Sequence, residues 1–97
     1  MTQASAYKEP HHVMLFFEEK EITNEQHTCI RERISYYENL KNMGKVLLSG
    51  NFWNQARNFI IVYVIVYVSS DTELEQIIDN DPAVRNNLFE LVRAIPF

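Results

Sequence analysis

The sequence predicts an α+β fold of the ferredoxin-like type, a four-stranded antiparallel sheet with two helices on one face in the order β-α-β-β-α-β. Three observations lead there. Residues 59–68, FIIVYVIVYV, are ten apolar or aromatic side chains without one charge. A strand with one face in water alternates polar and apolar residues; this one does not, so both of its faces require cover. Upstream, Ile30, Ile34, Tyr37 and Leu40 recur at spacings of four, three and three, which trace one helical face. A second capped helix and a last apolar segment follow the run. Right-handed crossovers then place both helices on the same side of the sheet.

In chain order, residues 1–9 are a polar, flexible segment and residues 10–97 form one domain. HVMLFF (12–17) reads as the first strand, which Glu18, Glu19, Lys20 and Glu21 break into a loop. Thr23 is the expected N-cap of the first helix, and Gln26 completes a capping-box pattern. Gly44 suits its C′ position, with Lys41 and Lys45 at the negative helix end. KVLLSGNF (45–52) reads as the second strand, NQAR (54–57) as a turn, and the opening run as the third strand. Ser69, Ser70 and Asp71 supply cap chemistry for a helix carrying Leu74, Ile77 and Ile78. DNDP (79–82) stops that helix, because the residue before a proline avoids the α region. A short helical turn at 83–87 leads into a fourth strand at 88–95.

The period of two sorts the apolar run into faces. Ile60, Val62, Val64, Val66 and Val68 suit the underside of the helices. Phe59, Ile61, Tyr63, Ile65 and Tyr67 form the other face, which needs a second sheet. The simplest source is another copy of the chain, giving a homodimeric α+β barrel packed sheet to sheet.

Composition narrows the function. A formal net charge of −4 and no basic stripe argue against a nucleic-acid partner. The apolar run is too short to span a bilayer as a helix, so no membrane partner is expected. The N-terminal residues lack a signal-peptide pattern, and a single cysteine, Cys29, allows no intrachain disulfide. A cytoplasmic location is the expectation. No CxxC, HExxH or GxGxxG motif is present, and no metal or cofactor is expected.

Two segments carry a resemblance. RERISYYENLKNMGKVLLSG (31–50) is similar to the helix of the YciI-like family, which runs into Gly-Lys-Leu-Leu-x-Gly-Pro. DNDPAVRNNLFELVRAIPF (79–97) resembles that family's ending, with Asp-Pro-x-Val, then Leu-Phe and a terminal Pro-Phe. The resemblance covers about residues 11–97 and implies a dimeric α+β barrel related to muconolactone isomerase. It also implies a His–Asp pair in a cleft. The aspartate carries over to Asp81. The histidine position is occupied by Arg33, and the proline of Gly-Pro by Asn51.

The candidate site therefore comprises Asp81 as the catalytic residue, with Arg33, Asn51, Trp53 and Tyr36 binding a ligand. Arg33 lies inside the apolar stripe of its helix, where a charge needs a partner, either Asp81 or an anionic ligand. Asp81 precedes proline and is equally placed to cap a turn. Trp53 could stack on a planar ligand or cover the barrel end, and Tyr36 lies about 100° from the core stripe. The resulting expectation is a small organic anion bound in a cleft, with cofactor-free isomerisation or elimination using Asp81 as base. The alternative is a non-catalytic dimeric binding or structural protein, because guanidinium is a poor general base.

Overall fold

In the computed structural model, which describes residues 10–20, 27–56 and 59–96, the chain runs β1 (His11–Glu19), α1 (His27–Asn42), β2 (Val46–Asn54), β3 (Phe59–Val68), α2 (Asp71–Asp79), α3 (Pro82–Arg85) and β4 (Phe89–Pro96). The strands form one antiparallel sheet in the order β2-β3-β1-β4. This is the predicted ferredoxin-like topology, and the short helical turn expected at 83–87 is α3, at Pro82–Arg85. β1 extends through Glu18 and Glu19, which pair with Glu90 and Phe89 of β4 instead of breaking the strand. Thr23 and Gln26 lie outside the described residues.

The uncharged run of β3 is central. Its register with β1 sets Val13 against Val66, Leu15 against Val64 and Phe17 against Val62. These residues face the helices, and Leu15, Phe17, Val64 and Val66 are fully buried. The opposite face carries Met14 beside Ile65 and Phe16 beside Tyr63. Leu48, Phe52 and Tyr67 remain substantially exposed there, so the described residues leave that face open. The sorting of β3 into a valine face and a tyrosine face follows the period of two.

The apolar stripe of α1 differs from the expected one. Ile34 is 60% exposed, whereas Arg33 is 8% exposed. The inward face consists of Cys29, Arg33 and Tyr37, flanked by Ile30, Tyr36 and Leu40. The buried arc is shifted by roughly 50°, about half a residue, toward Arg33 and away from Ile34, while Ile30, Tyr37 and Leu40 still face the core. Burying Arg33 is possible because an acidic partner waits beneath it, as described below.

Both ends of the α1–β2 connection are fixed. Gly44 has φ +79, the left-handed conformation that glycine adopts without steric cost. The Lys45 amide donates to Leu40 O at 2.8 Å and the Gly44 amide to Lys41 O at 3.0 Å, a Schellman motif. α3 ends the same way on Asn87 (φ 61), with the Leu88 amide donating to Ala83 O. That turn delivers Leu88 and Phe89 into the core.

Candidate functional site

The site begins with a helix cap. Asp81 is extended (φ −64, ψ 119) because Pro82 follows it, and its Oδ1 accepts the Ala83 amide at 2.9 Å as the N-cap of α3. This leaves Oδ2 facing α1. There it accepts Arg33 Nε at 2.9 Å and the Tyr37 hydroxyl at 2.8 Å. Asp81 is wholly buried. Arg33 and Tyr37 are four apart on α1, so one helical face presents both donors to one oxygen.

The guanidinium also meets three aromatic rings. Its central carbon lies 5.0 Å from the Phe17 centroid, 4.7 Å from Tyr37 and 4.8 Å from Phe89. One ring comes from β1, one from α1 and one from β4. Such contacts favour a desolvated cation by about 0.5–2 kcal/mol each. Arg33 Nη2 is buried and has no hydrogen-bond partner. An unsatisfied buried donor is expensive, and its presence in a native fold requires a reason.

Above this cluster a cleft of about 190 Å³ opens between α1 and β2. Arg33, Ile34, Tyr37, Glu38 and Lys41 line it from the helix, and Val46, Ser49, Gly50, Asn51 and Val62 from the sheet. Register explains the sheet wall. Ser49 pairs with Val64 and Asn51 with Val62, so both stand on the helix side of β2.

The structure thus joins Arg33 to Asp81 and places Asn51 on the same cleft. Trp53 stands two residues beyond Asn51 on the same strand face, 53% exposed and outside the lining. Tyr36 does not line the cleft. It belongs to a second cavity with Leu40, Met43, Lys45 and Glu73, and its hydroxyl donates to Ile77 O at 2.7 Å. Burial, and then the Asp81 charge, pushes the Tyr36 pKa up to about 12. Burial raises Tyr37 further, the Asp81 carboxylate adds to it, and the Arg33 charge opposes it in part. Both tyrosines are therefore neutral donors at physiological pH.

A model of the YCII-related domain matches residues 5–97. The chain belongs to the YCII-related domain family. Two solved structures are also similar to the chain. One is a 5-chloro-2-hydroxyhydroquinone dehydrochlorinase from Burkholderia phenoliruptrix, solved with 2,5-dihydroxybenzoquinone; it is 17% identical, with a TM-score of 0.61 over 88% of this chain and 90% of that one. The other is a hydroxynitrile lyase from Passiflora edulis, 14% identical, with a TM-score of 0.49 over 90% of this chain and 94% of that one. No curated protein matches the chain. Within this YCII-related domain, no group of three or more His, Cys, Asp or Glu among the described residues is arranged to hold a metal ion. No helix among them is long and apolar enough to cross a membrane.

The sequence places Tyr37 on the core face of α1 and offers no link from Phe17 or Phe89 to Arg33. The available signal was the i, i+4 spacing of Arg33 and Tyr37. The two phenylalanines carried none, because a ring that covers a cation and a ring that fills a core look alike in sequence.

Proposed function

We propose that this YCII-related protein binds a small organic anion in the cleft between α1 and β2, with Arg33 receiving the oxyanion. The observation that carries this reading is the buried Arg33 Nη2 without an acceptor, on a side chain that lines the cleft. Asp81 and Tyr37 hold the guanidinium in place, and three rings keep its faces dry. Ser49 and Asn51 offer polar groups on the opposite wall. Trp53 stands at the edge of that wall. Titration with benzoate, followed by amide NMR shifts, tests the reading. Saturable shifts at Arg33, Ser49 and Asn51, weakened at least tenfold by Arg33→Gln, are expected. Absence of saturable shifts at those residues overturns it.

A catalytic reading rests on the same pair. Asp81 would act as the base of a cofactor-free isomerisation or elimination while Arg33 stabilises the enolate. The support is proximity: the carboxylate is one hydrogen bond from the ligand-facing cation. The hindrance is that three donors already occupy it. Deuterium exchange into pyruvate, present in the wild type and lost in Asp81→Asn, would support this reading. Equal exchange in both proteins removes it.

The open sheet face supports self-association. A second copy packed sheet to sheet would cover Leu48, Phe52 and Tyr67 and complete a homodimeric α+β barrel.

A further inference from the structure

The anion reading leaves open how much charge the ligand carries, and the groups around the cleft bear on that. We infer that the cleft selects singly charged, ring-sized anions and discriminates against dianions, with Glu38 as the residue that sets the selectivity. The inference rests on the anion reading above and deepens it.

Size comes first. The cleft holds about 190 Å³. A cavity of about 150 Å³ accommodates benzene. One ring with one or two substituents fits that volume. Approach direction comes next. Phe17, Tyr37 and Phe89 crowd the Arg33 guanidinium carbon at 4.7–5.0 Å, and its Nε is bonded to Asp81. Its Nη2, at the edge of the group, is left without an acceptor. A flat carboxylate matches that edge.

Charge then decides between one carboxylate and two. Among the described residues, three charged side chains line the cleft: Arg33, Lys41 and Glu38. Asp81, bonded to Arg33, is a fourth. Their charges cancel, so the described residues offer no surplus cation for a second anionic group. Position adds to this. Glu38 lies five residues from Arg33 along α1, about 7.5 Å, whereas Lys41 lies eight residues away, about 12 Å. A ring held at Arg33 therefore brings its far end to the level of Glu38 before that of Lys41. Glu38 lines the cleft and forms no ion pair among the described residues, so no cation there offsets its charge. A second carboxylate meets a like charge, whereas a hydrogen, hydroxyl or carbonyl does not. Ser49 and Asn51 across the cleft can bond the uncharged group.

Calorimetric titration with benzoate and with terephthalate, at low salt, tests this in the wild type and in Glu38→Gln. Glu38 is exposed, so the substitution leaves the core intact. Benzoate is expected to bind at least tenfold more tightly than terephthalate, and Glu38→Gln to reduce that ratio to less than threefold. Raising the salt should also shrink the ratio, because the repulsion is between partly solvated charges. Equal or tighter binding of terephthalate by the wild type overturns the inference while leaving the anion reading standing. So does a ratio that Glu38→Gln does not change. If neither compound binds, the anion reading falls and this inference falls with it.

Discussion

A cation in the core is stable only when its charge and hydrogen bonds are answered, and Arg33 is answered by one carboxylate and three rings. Removing one partner strands the other. Asp81→Asn should destabilise the fold by about 3–5 kcal/mol in urea unfolding, because a buried guanidinium loses its counter-charge. Arg33→Met alone should be costly for the converse reason. The double variant should cost clearly less than the sum of the two, which is the signature of a coupled pair. Additive costs would show that each residue acts independently. The neighbouring tyrosines give a pH signal. The folded-state pKa of Tyr36 is raised from 10.0 to about 12, and that of Tyr37 is raised as well. Their contribution is complete below the unfolded tyrosine value and is lost as pH rises through the folded one. Two tyrosines should therefore resist ionisation between pH 10 and about 12 in ultraviolet titration, and stability should fall in that window. Tyr36→Phe should remove part of that fall.

Elements here are tied by their ends as much as by their faces. Ser70 caps α2 by accepting the Glu73 amide at 3.1 Å, while Glu73 Oε1 accepts the Ser69 amide at 2.7 Å. The other oxygen of Glu73 meets Lys45 Nζ at 2.7 Å, which fastens the start of α2 to the α1–β2 turn. The hydrogen bond from Lys45, and then that from the Ser69 amide, holds the Glu73 carboxyl below the usual carboxylate range. A depressed folded pKa gives stability that is present above the unfolded value and lost as pH falls through the folded one. Glu73→Gln should accordingly destabilise the protein at neutral pH, and the difference from wild type should shrink and vanish as pH falls through the depressed Glu73 value. A difference that persists at pH 2–3 would mean that Glu73 acts through packing and not through charge. The caps themselves were legible. Ser70 before a helix, Gly44 after one and Asp81 before proline are local signals, and each sits in the conformation its chemistry requires.

At the scale of the whole molecule, the sheet has one face under the helices and one face open. Gly50 shows how closely the open face is organised: a Cβ there would lie 2.5 Å from the Tyr63 hydroxyl, so the tyrosine lies directly over the glycine. Gly50 also lines the cleft on the other side of the sheet. If a second copy covers this face, sedimentation at micromolar concentration should return twice the chain mass. Phe52→Glu, which places a charge on the open face, should return the monomer mass with the fold retained by circular dichroism. A monomeric wild type would leave the exposed Leu48, Phe52 and Tyr67 without a partner and end the barrel proposal.

The sequence by itself determined the sheet, its two faces and the order of its elements, because period, caps and turn residues act over a few neighbours. It also marked Arg33 and Asp81 as residues needing an explanation: a charge within an apolar stripe, and a carboxylate before proline. Only the tertiary structure decided that these two meet across 48 residues, that Tyr37 shares the same oxygen, and that Phe17 and Phe89 enclose the cation. It also decided that Tyr36 belongs to another cavity and that Ile34 faces outward. The physical reason is the rotation of α1. Hydrophobicity alone favours burying Ile34. Burying Arg33 instead is favoured only once α3 has placed a carboxylate, and β1 and β4 have placed their rings, at the one spot where that side chain arrives.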